Sequence, residues 1–500
     1  MQHIKNGINR IYDFTSSGKF FWLVVVFFII NTVWGAVSFI YPMVFDEYAH
    51  YGMTSIYAQQ WSPFISEQPP EASLFGDITR DPSYLYSYLL SFPYRLFNLF
   101  IKSETGLIIA LRFLNISLVV AGIALYKKLF DSWKITPRSI NVVLLAFAST
   151  MIVPLIATHI NYDNLMFLMS ANYLILGTNI LRQKGNLLTQ STLFVSVGLL
   201  TTLVKHNFLP IFIISFFFIS ITFWNKNGRR SRQLLVDAWK ARPNGLVVTC
   251  LVALLLVSTG LFIERHVQNL VRYKTVAPMC DRIQPEYVCE DFGPWYRNRN
   301  NLQNKSSDVL YGNPLSFTQH WTSKIMRGYF APFSHTPTEV VSEHEPFGPI
   351  VRKAISPPQI IFAYVVLVAG LLSTLIYFKK LWAKTYIRLS ILVSAIYIVV
   401  LWLFNFQLYQ KLGVAQAVQA RYIYPILLLV FLVFIEAFKY SIHSEKQRKI
   451  LLVLFFTFYI WGGGIVGYLI RADSLWYWQN RTVVQVNTYA QNVLKHIVIH

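Results

Sequence analysis

Acidic side chains are scarce in this chain: 23 Asp and Glu stand against 44 Lys and Arg in 500 residues. Charged residues of both signs make up only 13% of the sequence while 54% is apolar, which excludes the charged surface that soluble domains of this total length would need. Cysteine is nearly missing as well. Its three occurrences allow at most one disulfide: Cys250 lies inside an apolar run, whereas Cys280 and Cys289 share a polar stretch and can pair if that stretch faces an oxidising compartment. The sequence has no Gly-rich phosphate loop, no Cys/His spacing suited to zinc, no internal repeat and no low-complexity tail. The formal charge of +21 therefore stands without any nucleic-acid motif beside it. Its Lys and Arg fall mostly in short stretches between apolar runs, where they orient a membrane protein and no nucleic-acid partner is expected.

What the sequence has in abundance is apolar runs long enough to cross a hydrocarbon core of about 30 Å. They fall near 20–41, 105–126, 139–158, 164–181, 190–205, 208–224, 246–263, 358–378, 386–404, 422–438 and 450–470. The fold class expected is all-α integral membrane, with about eleven transmembrane helices. The run 20–41 is longer than the core of a signal peptide and lacks a small-residue cleavage site, so it reads as a retained first span. Lys5, Arg10 and Lys19 precede it, and alternate loops contain Lys127/Lys128/Lys134/Arg138, Arg182/Lys184, Lys226/Arg229/Arg230/Arg232, Lys379/Lys380/Lys384 and Lys446/Arg448/Lys449. These basic loops share one side, which is the cytoplasmic one for a multi-pass protein of the plasma (inner) membrane.

Four segments follow: an N-terminal transmembrane module 1–263 containing a long first outer loop 42–104, an outer cap 264–357, C-terminal transmembrane helices 358–470 and an outer tail 471–500. In the first outer loop, Tyr, Phe and Leu alternate from Tyr84 to Phe100 with few charges, a pattern suited to helices lying in the membrane interface. The polar interruption Lys205-His206-Asn207 reads as an outward-facing turn, since a continuous buried hairpin would leave Lys205 unpaired in lipid.

The sharpest chemical feature is Tyr41-Pro42-Met43-Val44-Phe45-Asp46-Glu47-Tyr48-Ala49-His50, just outside the first span. Two adjacent carboxylates at a membrane surface repel one another and need a partner, a metal or a task. On a helical turn, Asp46 and His50 share one face while Glu47 points about 100° away. Asp46 is then placed to take a proton near His50, and Glu47 to orient a substrate hydroxyl or a divalent cation; the plainer alternative makes Asp46 a solvated helix cap. Further polar islands occur on the same outer side: His159-Ile160-Asn161-Tyr162-Asp163-Asn164, Lys205-His206-Asn207, and Gln416 to Tyr424. Arg421 opposes the positive-inside bias and has the planar fork that binds phosphate in two places, and Lys205 can add a second charge. The plainer readings are that Arg421 reaches lipid head groups, Lys205 pairs with a carboxylate and Asp163 caps the fourth span. Asp163, His159, Tyr422 and Arg80 form a second rank of candidates.

These residues resemble a known group. A carboxylate pair after the first span, a long first outer loop and many further spans look like the GT-C superfamily of membrane glycosyltransferases, which includes protein O-mannosyltransferases and the aminoarabinose transferases of lipid A. In motifs the chain is closer still to an unassigned bacterial family of polytopic membrane proteins showing P-x-D-E-x-x-H, N-P-D, K-x-x-x-x-P and Q-G-R-Y-x-x-P. Here the corresponding residues are Pro42 with Asp46-Glu47-Tyr48-Ala49-His50, Asn161-Tyr162-Asp163, Lys205 with Pro210, and Gln419-Ala420-Arg421-Tyr422 with Pro425. The chain departs from that pattern with Tyr162 in place of Pro, Ala420 in place of Gly, and three residues between Pro42 and Asp46.

The resemblance implies transfer of a sugar from a polyprenyl-phosphate donor to an envelope lipid, glycan or protein acceptor on the extracytoplasmic side, among membrane lipids. Asp46 would be the base, Glu47 would position acceptor or metal, His50 would assist, and Arg421 with Lys205 would bind the donor phosphate. No cofactor is required beyond a possible divalent cation. Two rivals fit the same anatomy: a flippase or transporter of lipid-linked sugars, which needs ionisable residues at mid-membrane and paired broken helices, and an envelope glycan ligase or polymerase using a late outer-loop histidine such as His320, His335 or His344.

Overall fold

The computed structural model describes residues 2–43, 46–305, 312–330, 333–336, 350–353, 357–457 and 464–499, and these are overwhelmingly helical. The described strands are Phe333–Thr336 and Ile350–Lys353, paired antiparallel. Nine described helices are long and apolar enough to cross a membrane: Gly18–Ser38, Glu104–Ser132, Tyr162–Arg182, Leu187–Val204, His206–Asn227, Gly245–Tyr273, Gln359–Ile376, Thr385–Leu412 and Ala420–Ser441. This is a polytopic helical membrane architecture.

The helix starts follow from local chemistry. Ser17, Ser103, Asn161, Asn186 and Asn244 each accept a backbone N–H with their side-chain oxygen, satisfying a donor that the first helical turn leaves orphaned. Asn161, not Asp163, is therefore the cap of Tyr162–Arg182, which leaves the Asp163 carboxylate for other work. Close packing joins the spans. A Cβ on Gly122 would meet the Phe167 ring at 2.5 Å, so only glycine lets Glu104–Ser132 approach Tyr162–Arg182 this closely, and Phe167 in turn stacks on Phe147 at 4.9 Å.

Two expected spans differ from the sequence reading. The run 139–158 is not one rod: Pro137–Ser149 and Ile152–Thr158 meet at 69°. Pro154 has no N–H to give the Thr150 carbonyl and its ring crowds that residue, while the Thr150 hydroxyl bonds back to the Ala146 carbonyl at 2.8 Å. The eleventh run, 450–470, contains residues 458–463, which lie outside the described ones. Its described flanks touch opposite ends of the first span, Phe456 against Phe20 at 6.0 Å and Tyr468 against Phe39 at 5.8 Å.

The division at 263/264 also falls inside a helix. Polar Glu264, Arg265 and His266 end the apolar run, yet the backbone continues through a π turn to Tyr273. It does so because these side chains are held. Arg80, from the segment between the first two spans, donates to the Glu264 carboxylate at 2.6 Å, the Glu264 carbonyl at 2.6 Å and Asn269 at 2.9 Å.

The segment 42–104, expected as the first outer loop, forms Glu47–Tyr57, a short 3-10 turn Pro70–Phe75 and Leu85–Phe100. Leu96, Leu99 and Phe100 are exposed at the end of the last helix. The region 264–357 packs as two described parts. Cys280 and Cys289 are disulfide-bonded, and beside them Gln284 donates to Asp77 at 2.7 Å and Phe292 packs over Gly76, joining this part to the first outer loop. The helix Pro314–Phe330 instead lies against the membrane helices: Trp321 donates to Asn405 at 2.9 Å, and Gly328 faces Ala420 so closely that a Cβ there would sit 3.0 Å from the Ala420 Cβ.

Candidate functional site

The polar islands converge at one end of the bundle. The end of the first span, the start of Glu47–Tyr57, the turn at 159–161, the turn at 205–208 and the short helix Ala420–Ile426 meet there. Within this cluster the two neighbouring carboxylates have different partners.

Glu47 is enclosed. Its carboxylate takes two parallel bonds from Arg112, at 2.8 and 2.7 Å, and one from the Ile160 N–H at 3.1 Å. Arg112 gives its remaining N–H groups to the carbonyls of Ala36, Phe39 and Ile40 at 3.2, 2.6 and 2.9 Å. Both side chains are fully buried. Burial works to raise the Glu47 pKa, and the Arg112 guanidinium and its hydrogen bonds override it, holding the carboxyl below its ordinary range. The sequence places Glu47 as a positioner of acceptor or metal; the structure places it as a clamp between the first outer helix, the first span and the 159–161 turn. Among the described residues no group of three or more His, Cys, Asp or Glu is placed to hold a metal ion.

Asp46 takes the other course. It sits at the start of Glu47–Tyr57 with φ 63° and ψ 28°, a left-handed conformation that Asp and Asn tolerate better than most residues. Its backbone carbonyl receives the N–H groups of Ala49 and His50, both at 3.0 Å, but its side chain does not cap the helix. The carboxylate instead meets Arg421 at 2.6 Å, with the Asp46 side chain 52% exposed and the Arg421 side chain 4% exposed. Asp46 is thus an open carboxylate held by a buried guanidinium.

Lys205 and Asp163 form a second ion pair at 2.5 Å, both buried. Lys205 ends Leu187–Val204 in extended conformation, and its ammonium lies 4.4 Å from the centre of the Tyr162 ring and 5.3 Å from that of Tyr422. The Tyr422 ring also lies 5.3 Å from the Arg421 guanidinium, so one aromatic ring is shared by both cations. Tyr397 holds the Tyr422 carbonyl at 2.7 Å. Burial lowers the Lys205 pKa to about 8, against the attraction of Asp163 and in concert with repulsion from Arg421.

His50 is buried between two rings, 4.3 Å from Tyr162 and 5.7 Å from Tyr86. Burial depresses its pKa to about 3, Asp46 opposing and Arg421 and Lys205 adding to the shift. His159 is buried too, stacked on Phe39 and bonded to the Leu155 carbonyl at 2.6 Å; burial lowers its pKa to about 4 despite Glu47. Arg80 belongs to the Glu264 and Asn269 network described above. His344 and the side chain of His335 lie outside the described residues.

Arg112 and Asn115 went unnoticed in the sequence. The Asn115 side-chain oxygen accepts from Tyr86 at 2.8 Å and from Asn164 at 3.0 Å, anchoring the wall behind His50. The available signal was Arg112 itself, an ionisable residue in the middle of an apolar run. The cluster as a whole presents two cations, each occupied by a carboxylate, beside an open Asp46. Of those carboxylates only the half-exposed Asp46 is open to displacement by another anion, since Asp163 is sealed against Lys205. No family model, curated protein or solved structure matches the chain.

Proposed function

We propose that the chain is a membrane glycosyltransferase that moves a sugar from a polyprenyl-phosphate donor to an acceptor hydroxyl of an envelope lipid, glycan or protein, on the extracytoplasmic side. The observation that carries this reading is the Asp46–Arg421 pair at 2.6 Å, an open carboxylate resting on a buried guanidinium. While paired, Asp46 is a weak base. When the donor phosphate takes the Arg421 fork, with Lys205 as a second cation, Asp46 is released and its proton affinity rises at the moment a base is needed.

The acceptor oxygen then attacks the anomeric carbon, its proton passes to Asp46, and the bond from that carbon to the phosphate oxygen breaks with its electron pair leaving on the phosphate. Phosphate is a good leaving group, so cations and a base are enough and no strong general acid is required. One displacement inverts the anomeric centre. Glu47 acts only through Arg112, by holding the Asp46 helix against the bundle. The disulfide Cys280–Cys289 supports an oxidising, external location for this end. A transporter would call for paired broken helices, and the described residues contain one bent pair.

The experiment is binding of a sugar-free polyprenyl phosphate to the purified chain, compared with the polyprenol that lacks the phosphate. The phosphate should bind at least about tenfold more tightly, and Arg421→Ala should abolish the difference. Equal binding of phosphate and alcohol would remove the basis for the proposal.

A further inference from the structure

At the end of the bundle opposite Asp46, a groove of about 790 Å³ opens between Pro137–Ser149, Gln359–Ile376, Ala420–Ser441 and Glu445–Phe455. Its walls are apolar, with Val143, Val366, Ala369, Phe431 and Phe438 among them. Arg138, Lys439 and Arg448 line the same groove. A second cavity of about 350 Å³ shares Thr136 and Lys439 with the first and adds Lys134 and Lys384. Three carboxylates face these cations. Glu436 is buried and takes Lys384 at 2.8 Å together with Lys439, Asp13 is an exposed partner 3.6 Å from Arg138, and Glu445, paired with Lys449 at 2.5 Å, also faces Arg138 and Arg448. Six cations, Lys449 included, against three carboxylates leave the mouth positive.

We infer that this groove holds an anionic glycerophospholipid from the leaflet on the side of the basic loops, acyl chains between the helices and phosphate at Arg138, Lys439 and Arg448. Two observations select that occupant. Gln359–Ile376 and Ala420–Ser441 are long and apolar enough to cross the hydrocarbon layer and Pro137–Ser149 is part of a bent apolar pair, so the filling of a groove between them is itself apolar chain, and the positive mouth favours an anionic head group over a zwitterionic one. Arg138 is already braced for such a contact: its guanidinium stacks 3.6 Å from the centre of the Tyr12 ring and donates to the Tyr12 carbonyl at 3.1 Å, which fixes the fork at the rim. The lipid would then join the segment before the first span to three membrane helices, a structural role independent of the Asp46 site.

The test is native mass spectrometry of the full chain released from mixed micelles containing equimolar phosphatidylglycerol and phosphatidylethanolamine. The chain should retain phosphatidylglycerol over phosphatidylethanolamine by about tenfold, at roughly one bound lipid. Arg138→Gln combined with Arg448→Gln should bring the two lipids to near parity. Ala369→Phe narrows the groove without touching a charge and should lower retention of both lipids; it decides the matter if the double variant does not fold. Parity in the unaltered chain, or unchanged phosphatidylglycerol retention in Ala369→Phe, would overturn the inference. Stoichiometric displacement of phosphatidylglycerol by added polyprenyl phosphate would also overturn it, assigning the groove to the carrier.

Discussion

Asp46 and Glu47 are neighbours in sequence and both are held by arginine, yet one side chain is 52% exposed and the other is sealed. Glu47 has three hydrogen bonds from partners that are themselves fully engaged, so exchanging any of them for a ligand would strand a buried charge. Asp46 is half-exposed, so another anion that takes its place on the buried Arg421 leaves its carboxylate in contact with solvent. Adjacent carboxylates therefore divide into a sealed clamp and an accessible group, the one proposed as the base, according to how completely their surroundings enclose them.

The largest effect that would sharpen this division is on transfer by Asp46→Asn. Asparagine tolerates the left-handed backbone at this position, so folding should survive, while loss of the basic electron pair should slow transfer by about a hundred- to ten-thousand-fold. Purified protein that binds donor normally and transfers almost none is the expected result; wild-type rates would leave the account without its base. Glu47→Gln should show the opposite pattern. Leaving the Arg112 charge without its carboxylate should cost about 3–5 kcal/mol of stability, read as a fall in the unfolding midpoint in detergent, while transfer per folded molecule changes little. If Glu47→Gln instead folds normally and loses turnover, the two roles have been exchanged.

A smaller effect is expected for Arg421→Lys, which keeps the charge and loses the planar fork. Carrier-phosphate affinity should drop about ten- to hundredfold, checked by titration of the same polyprenyl phosphate, and an unchanged affinity would reduce Arg421 to an anchor for its span. The smallest effect concerns Lys205. Its ammonium is charged below about pH 8 and neutral above, so carrier affinity should weaken by about three- to tenfold as pH rises through that value. Lys205→Arg should flatten the curve, because a guanidinium does not titrate there. A wild-type profile that is flat from pH 7 to 9 would exclude Lys205 from the phosphate site.

The sequence made the membrane architecture legible because its signals are local. Runs of apolar residues, serine and asparagine caps and basic loops each act over a few residues, and the nine described candidate spans fall where the hydropathy places them. The bend at Thr150 was hidden because Pro154, four residues further along the same apolar run, changes geometry without changing hydropathy. The helix beyond Phe262 was hidden for the converse reason: Glu264 and Arg265 look like a loop until Arg80, far away in the chain, is brought beside them. In the site, Asp46, Arg421, Lys205 and Asp163 could be named from charge in unfavourable places. Their pairing could not, since Asp46 and Arg421 are 375 residues apart and only the fold decides which cation each carboxylate meets. The difference between Asp46 and Glu47 was out of reach for the same reason, because it depends on Arg112.

The most direct measurement is a density map of the purified chain bound to polyprenyl phosphate in a lipid nanodisc. The account predicts a lipid phosphate within hydrogen-bond distance of Arg421, near Lys205, with the Asp46 carboxylate turned off the guanidinium into the same space and Glu47 still clasped by Arg112. A map with the Asp46–Arg421 pair intact and the phosphate bound elsewhere would contradict it.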